Sequence, residues 1–309
     1  MIEKMSRWLF HVFAVLIMVN VAFAQKKIGL SDKTAFPFIE TSDHVKLFAK
    51  TVGNGPVCIF IHGGPGAWSK SFEEMGGTEL EKKLKMVYVD QRGCGRSDTS
   101  AERNYSLDRM VDDIEDIRQA LGVKKVYLLS HSFGGIIALN YAKKYPNHLS
   151  GLILANSTLD LNNSLQEQIQ HVNKLINTHF DEAPKDSILS KLSLARRALT
   201  DKGLGYKMLS DDKETIDRLD GIDASYPRTY DFGKHVWDYK IYCKDFRPET
   251  KDIQVPVLVI AGTKDYAIGV DHYRKFHFPD QKIVLINGGH VLYYEQNEAF
   301  VDAIFSFIK

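Results

Sequence analysis

The chain has 309 residues, of which 44% are hydrophobic, and its 40 basic side chains nearly balance 39 acidic ones. This is the composition of an ordinary globular protein, long enough for one large α/β domain or two small ones. A net charge of +1 without a block of basic residues argues against a nucleic-acid partner, which would need a strongly cationic surface.

The first 24 residues have the three-part layout of a secretory signal peptide. Lys4 and Arg7 precede an apolar run at 8–21, and Ala-Phe-Ala at 22–24 forms a cleavage site before Gln25. The run is shorter than the ~20 residues of a membrane span. We therefore expect a mature chain that begins at Gln25 and is exported to the periplasm or the cell exterior, without a stable membrane anchor. The alternatives are an uncleaved anchor or a buried helix.

The three cysteines are Cys58, Cys94 and Cys243, so at least one thiol is free. A disulfide between Cys94 and Cys243 is one pairing that this number leaves open. Their spacing is not that of a metal site, and none stands in a context typical of a nucleophile.

Strands and helices alternate through most of the chain. Before residue 157, apolar patterns predict two helices, at 107–121 and 136–145, and strands at 44–50, 57–61, 86–89, 126–130 and 149–155. After residue 251 they predict strands at 255–261 and 282–286 and a final helix at 298–308. Such alternation favours a largely parallel sheet with right-handed connections. Residues 157–251 are charged and rich in helical patterns, which is typical of an insertion.

A serine-rich turn stands where the strand at 126–130 meets the following helix. The sequence Ser-His-Ser-Phe-Gly-Gly at 130–135 nearly matches the Gly-x-Ser-x-Gly nucleophile elbow. This turn requires small residues two places before and after the nucleophile, and Ser130 and Gly134 meet that demand, although Ser130 departs from the usual glycine. Ser132 is therefore the candidate nucleophile, and the helix behind it favours developing negative charge. The alternative is a turn that only starts a helix.

Two further strand ends supply partners for a serine nucleophile. Asp265 follows the strand at 255–261, and His290 follows the strand at 282–286 after a glycine pair. A serine needs a base to take its proton and a carboxylate to orient that base, and the order Ser, Asp, His is that of α/β-hydrolases. Several other residues were weighed as alternatives and interpreted as structural, capping or surface residues: His62, His131, Asn156, Asp160, Asp271, His272 and Glu295.

Three segments together resemble the prolyl iminopeptidase family of α/β-hydrolases. They are His-Gly-Gly-Pro-Gly at 62–66, Asp-Gln-Arg-Gly-Cys-Gly-Arg-Ser at 90–97 and the elbow at Ser132. The resemblance covers about 40–160 and 252–309. It implies an α/β-hydrolase fold, with a mostly parallel central sheet flanked by helices and an inserted helical cap. The expected organisation is then a signal peptide (1–24), a first core segment (25–156), the cap (157–251) and a second core segment (252–309).

The same resemblance implies a catalytic role for each matching position. Ser132 would be the nucleophile, Asp265 the acid and His290 the base. The backbone N–H groups of Gly64 and Phe133 would form the oxyanion hole. Asp90 and Arg92 would be architectural, and no cofactor or metal is expected.

The resemblance implies release of an N-terminal residue from short peptides, with proline favoured and the substrate ammonium held by cap carboxylates. Trp237, with Tyr239 and Tyr242 nearby, is a possible wall for a flat ring, and buried packing is its alternative. A carboxylesterase or lactonase acting on small esters is the second hypothesis, and a catalytically silent binding protein is the third. Serine at the elbow argues against an epoxide hydrolase or dehalogenase. The acidic residues considered in the cap are Glu167, Asp181, Glu182, Asp211, Asp212, Glu214, Asp217 and Asp238.

Overall fold

An eight-stranded sheet forms the centre of the protein in a computed structural model that describes residues 37–183 and 187–308. The predicted signal peptide lies outside the described residues. In chain order the strands are β1 (Phe38–Glu40), β2 (Lys46–Val52), β3 (Val57–Ile61), β4 (Lys85–Val89), β5 (Cys94–Gly95), β6 (Val126–Ser132), β7 (Leu149–Ser157), β8 (Thr229–Tyr230), β9 (Val257–Gly262) and β10 (Gln281–Ile286).

The order of strands across the sheet is β1-β2-β4-β3-β6-β7-β9-β10. β2 pairs antiparallel with β1 and with β4, and each of the other neighbouring pairs is parallel. The predicted, largely parallel sheet is therefore confirmed. The carboxyl ends of β3, β4, β6, β7, β9 and β10 meet at one edge, which is where an open sheet of this kind binds its ligands.

Helices connect the strands and cover the sheet. They are α1 (Lys70–Met75), α2 (Leu107–Ala120), α3 (Gly134–Lys144), α4 (Leu161–Ile176), α5 (Ile188–Asp201), α6 (Lys213–Ala224), α7 (Asp231–His235), α8 (Leu292–Glu295) and α9 (Asn297–Phe305). Ser106 and Asp160 cap α2 and α4, since each side chain accepts a hydrogen bond from a backbone N–H of the first turn. No helix of the described segments has both the length and the apolar character required to cross a bilayer.

The hydrophobic core lies on both faces of the sheet, because neighbouring residues of a strand point to opposite sides. On β6, Leu128 packs in the cluster that contains Ile114 of α2 and Ile137 of α3. Its neighbour Leu129 packs in a second cluster with Phe300 of α9. Burial on both faces explains why these strands appear in the sequence as continuous apolar runs.

The segment between β7 and β9 contains α4 to α7 and a strand that the sequence patterns did not indicate. That strand is β8, whose two residues pair with Cys94 and Gly95 of β5. The pairing fastens the inserted segment to the loop that follows β4. The possible disulfide between Cys94 and Cys243 is wrong, because all three cysteines are free.

Candidate active site

The turn between β6 and α3 places Ser132 in a strained backbone conformation. Its φ is +51°, in the left-handed region that non-glycine residues rarely adopt. A Cβ atom at Gly134 would lie 2.4 Å from the carbonyl oxygen of Ile61, so only glycine fits there. The turn therefore has the geometry of a nucleophile elbow, with Ser132 at its apex.

The serine that replaces the usual first glycine of this motif is accommodated by β7. Ser130 is fully buried, and its hydroxyl lies 3.0 Å from the hydroxyl of Ser157. Ser157 also donates to the carbonyl of Ser130 at 3.1 Å. Since a buried hydroxyl is costly without a partner, Ser157 explains how a polar residue is tolerated at this position.

His290 and Asp265 are paired at the ends of β10 and β9. Nδ1 of His290 lies 2.9 and 3.0 Å from the two carboxylate oxygens of Asp265, which is fully buried. Backbone N–H groups of Ala267 and Ile268 donate to the same carboxylate and fix its orientation. Because a carboxylate only accepts, Nδ1 carries the proton, which leaves Nε2 of His290 able to accept one.

Ser132 Oγ makes no hydrogen bond to His290 within the described part of the chain. In ligand-free enzymes this contact is often long and tightens only when substrate binds. The structure does place the two residues side by side, since Nε2 of His131, the neighbour of Ser132, donates to the backbone carbonyl of His290 at 2.9 Å. Burial lowers the pKa of His131 to about 3, so this histidine is neutral and acts as a positioning donor.

Asn156 connects the ends of three strands beneath the site. Its side-chain amide donates to the carbonyls of Gly289 and His290 at 2.8 and 3.0 Å, and its oxygen accepts from the N–H of Gly262 at 2.7 Å. Asn156 is fully buried and has a φ of +41°. Sequence reasoning noted it only as a position where some hydrolases carry the acid. Its place at the end of β7 was the available signal for a bridging role.

The residues expected to form the oxyanion hole lie on either side of Ser132. Phe133 is the next residue, at the start of α3, and Gly64 lies in the loop after β3 with a φ of +123°. Among residues 37–183 and 187–308, neither backbone N–H donates a hydrogen bond. Gly63 brings the loop against the elbow, since a Cβ there would lie 2.6 Å from Cβ of Ser132.

His62 and Gln91 hold that loop in place. Nδ1 of His62 donates to the carbonyl of Gly63 at 2.9 Å, and Nε2 accepts from the backbone N–H of Gln91 at 3.0 Å. Burial lowers the pKa of His62, in agreement with a neutral ring that both donates and accepts. Both nitrogens of His62 are thus engaged in the loop.

The segment after β4 contains two buried ionic clusters. Asp90 accepts from Arg96 at 2.7 Å and from the Ser69 hydroxyl at 2.6 Å. Arg92 is fully buried between Asp113, at 2.6 Å, and Asp43, at 2.8 Å. Because these side chains satisfy one another away from Ser132, their contacts are those of an architectural segment.

Two expectations about residues near the acid change with the structure. His272 was interpreted as a surface residue, which is wrong, because it is buried in a short turn where its Nδ1 donates to the carbonyl of Gly269 at 2.8 Å. Glu295 was interpreted as structural, and it accepts from the N–H of Gly289 beside His290 at 2.7 Å.

The cap side chains expected to face substrate have mixed positions. Trp237 is half-buried and packs against Leu165, Ile169 and Leu192 of α4 and α5, which are contacts of a packing residue. Asp212 caps α6, whereas Asp211 and Asp217 pair with lysines one helical turn away. Glu167 instead packs against Gly269, since a Cβ there would lie 2.8 Å from its Cγ. Of these acids, Glu167 thus lies beside the loop that carries Asp265.

Comparison with known proteins decides the family. A model described as alpha/beta hydrolase fold matches residues 56–296. The chain belongs to this family. It is similar to the proline iminopeptidase of Lactobacillus delbrueckii subsp. bulgaricus, with 24% identity over 280 residues that cover 87% of this chain and 94% of the relative.

Solved structures share the fold of this α/β-hydrolase. A proline iminopeptidase-related protein from Thermus thermophilus superposes with a TM-score of 0.73 at 21% identity, covering 88% of this chain and 97% of the other. An esterase from Exiguobacterium antarcticum superposes with a TM-score of 0.66 at 22% identity, covering 88% and 98%. The fold alone is therefore compatible with amide and with ester hydrolysis.

Proposed function

We propose that this α/β-hydrolase uses Ser132, His290 and Asp265 as a catalytic triad. His290 takes the proton of Ser132 while Oγ attacks the substrate carbonyl. The resulting oxyanion accepts hydrogen bonds from the N–H groups of Phe133 and Gly64. His290 then protonates the leaving group, and water hydrolyses the acyl-enzyme.

One observation carries this proposal: the side chain at the strained apex of the elbow is a serine, beside a histidine already oriented by a buried carboxylate. A turn that only started a helix would need neither the left-handed conformation of Ser132 nor the His290–Asp265 pair. Strain of this kind persists where the surrounding structure over-determines it, and such places cluster at active sites.

For the substrate, we propose the N-terminal residue of a short peptide, with proline favoured. The similarity to proline iminopeptidases and the glycine-rich loop at 62–66 support this choice. Such a substrate carries an ammonium group, which a carboxylate at the cleft would bind. Glu167 is the cap acid we assign to this role, because it packs against Gly269 in the loop that carries Asp265.

A carboxylesterase or lactonase with the same triad is the second candidate. It is favoured by the shared fold of the Exiguobacterium esterase and by the pairing of Asp211 and Asp217 within the cap, which removes these acids from ammonium recognition. Replacing Glu167 by Gln separates the two candidates. A peptidase would lose affinity for a free N-terminal amine, whereas an esterase would be unaffected.

The first test is the variant Ser132→Ala, with Ser164→Ala on α4 as a matched buried-serine control. We expect Ser132→Ala to lose at least about 10⁴-fold in turnover and to escape labelling by a fluorophosphonate. The control should keep both properties. Full activity of Ser132→Ala would refute the mechanism.

The second test compares proline naphthylamide, alanine naphthylamide and a short acyl nitrophenyl ester. A preference for proline that disappears when its amine is blocked is expected for the aminopeptidase. Rapid ester cleavage with neither amide hydrolysed would establish the esterase instead.

We also propose export, with cleavage before Gln25, on the basis of the charged, apolar and small-residue segments within 1–24. N-terminal sequencing of the protein recovered from the periplasm or medium tests this. A chain recovered with Met1 intact in the cytoplasm would contradict it.

A further inference from the structure

One cation of the cap is linked to the acid of the triad through a chain of hydrogen bonds. Arg196 lies on α5, and its guanidinium donates to the side-chain oxygen of Gln168 on α4. The amide of Gln168 donates to the carbonyl of Ala267 at 2.7 Å, and the N–H of Ala267 donates to Asp265 at 3.0 Å. Arg196 is therefore fixed over the loop that holds the carboxylate.

The start of α4 lies next to the nucleophile, which locates Gln168 relative to it. The N–H of Thr158 donates to the carbonyl of Ser132 at 3.0 Å, and the hydroxyl of Ser164 donates to that of Thr158 at 2.7 Å. Gln168 is one helical turn beyond Ser164 on the same buried face of α4. The helix thus rises from beside Ser132 and presents Gln168, and with it Arg196, above the site.

On its other side, Arg196 approaches the loop expected to form the oxyanion hole. It interacts electrostatically with Tyr230 of β8. The ring of Tyr230 packs against Gly66, where a Cβ would lie only 2.4 Å from Cε2. Arg196 consequently lies between the acid loop and the glycine-rich loop, the two walls that flank Ser132.

The charge of Arg196 has no carboxylate partner among the residues that the structure describes. Its side chain is exposed to solvent, yet burial among neighbouring atoms lowers the pKa of its guanidinium, with only Tyr230 opposing. A group reached by solvent but surrounded by protein lies in a cleft. The buried Arg92, in contrast, is paired with two carboxylates.

We propose that Arg196 binds a carboxylate of the substrate, and that it thereby selects anionic substrates for the site proposed above. A guanidinium has five N–H donors in a planar fork that matches a carboxylate, and Gln168 occupies only part of that fork. In a short peptide the carboxylate is the C-terminus, on the leaving group. In an ester or lactone it is a second acid group of the substrate. This inference rests on the proposed hydrolase function and specifies its substrate class.

The test uses Arg196→Gln with Arg197→Gln as the matched control. Arg197 is the next residue of α5, but its side chain is 74% exposed and lies 3.9 Å from Asp201. The substrates are prolyl-alanine and its C-terminal amide. We expect Arg196→Gln to raise KM for the free dipeptide about 10–100-fold, the range for a charge-assisted hydrogen-bonded pair, and to leave KM for the amide unchanged. Arg197→Gln should change neither.

An ester pair extends the test to the other source of the carboxylate. If the wild-type protein cleaves neither peptide, the same comparison is made with the nitrophenyl monoester of succinic acid and nitrophenyl butyrate. Equal effects of Arg196→Gln on the charged and neutral substrates would overturn the inference. Because Arg196 has no ion-pair partner to lose among the described residues, its replacement should leave the melting temperature unchanged or higher.

Binding of succinate, measured by calorimetry on Ser132→Ala, separates this inference from the proposed chemistry because it needs no turnover. We expect succinate to bind Ser132→Ala and the Ser132→Ala/Arg197→Gln double variant alike, and to bind Ser132→Ala/Arg196→Gln at least about 10-fold more weakly. Absent or equal binding would overturn the role of Arg196 even if Ser132 proves to be the nucleophile. If Ser132→Ala instead retains activity, the mechanism fails while the binding result still stands.

Discussion

Replacing Asn156 by Ala should destabilise the protein and slow catalysis together, because this side chain ties His290 to the ends of β7 and β9. The amide is a hydrogen-bond partner of three buried backbone groups. The carbonyl of His290 retains its bond from His131, so the groups that lose a side-chain partner are the N–H of Gly262 and the carbonyl of Gly289. Each such loss costs about 1–3 kcal/mol.

A second contribution comes from the backbone, since alanine is disfavoured at the positive φ of this position by about 1 kcal/mol. We therefore expect Asn156→Ala to lower the free energy of unfolding by at least about 3 kcal/mol. Asn177 provides the control. It also has a positive φ, at the end of α4, but it is exposed. Asn177→Ala should cost only about 1 kcal/mol.

Urea unfolding of the two variants, with turnover measured in parallel at a temperature where both are folded, tests this. The turnover of Asn156→Ala should fall because the backbone of His290 loses a support, while that of Asn177→Ala should not change. Equal losses of stability in the two variants would refute the reasoning, since the bridging hydrogen bonds would then contribute nothing measurable.

Three further changes have defined outcomes. Gly63→Ala should abolish turnover while the protein remains folded by circular dichroism, because the new Cβ would lie 2.6 Å from Cβ of Ser132. Arg92→Met should lower the free energy of unfolding by about 3–5 kcal/mol in urea, because it leaves the buried carboxylate of Asp113 uncompensated. Asp43→Asn should be less stable than the native protein at pH 7 but not below about pH 4. Hydrogen bonds from Arg92 hold the pKa of Asp43 below its usual range, so the stability that this carboxylate contributes is lost as the pH falls and it is protonated.

Gly221→Ala is the control for the glycine variant, because a Cβ at this position of α6 meets no atom within 4 Å. It should keep full activity. A pH-independent difference between the native protein and Asp43→Asn would contradict the role assigned to the Asp43–Arg92 pair. Unchanged unfolding of Arg92→Met would show that Asp113 is not dependent on it.

Much of the fold could be predicted because the strands are buried on both faces and therefore stand out as apolar runs. The strand at 57–61 has the predicted bounds, and β6 extends two residues further, into the elbow itself. The order of Ser132, Asp265 and His290 was readable because each follows a strand, and parallel strands bring their carboxyl ends together. The structure places His290 on Asp265, as that argument expects.

What could not be predicted depends on contacts between segments far apart in the chain. His272 follows an aspartate in a charged stretch and resembles a surface residue, but its turn packs beneath the acid loop. β8 has only two residues, and its partner in β5 lies more than a hundred residues away. Arg196 is one cation of an amphipathic, charged helix. Only the position of Gln168 on the neighbouring helix distinguishes it from the exposed Arg197.

The pairing of β8 with β5 separates the attachment of the cap from its chemistry. Hydrogen bonds between main chains do not depend on the side chains of the paired residues. The side chain at position 230 can therefore change the shape and polarity of the cleft while the strand that bears it remains joined to residues 94 and 95. In such an arrangement new substrates can be accommodated by single substitutions, without first evolving a new way to hold the cap in place.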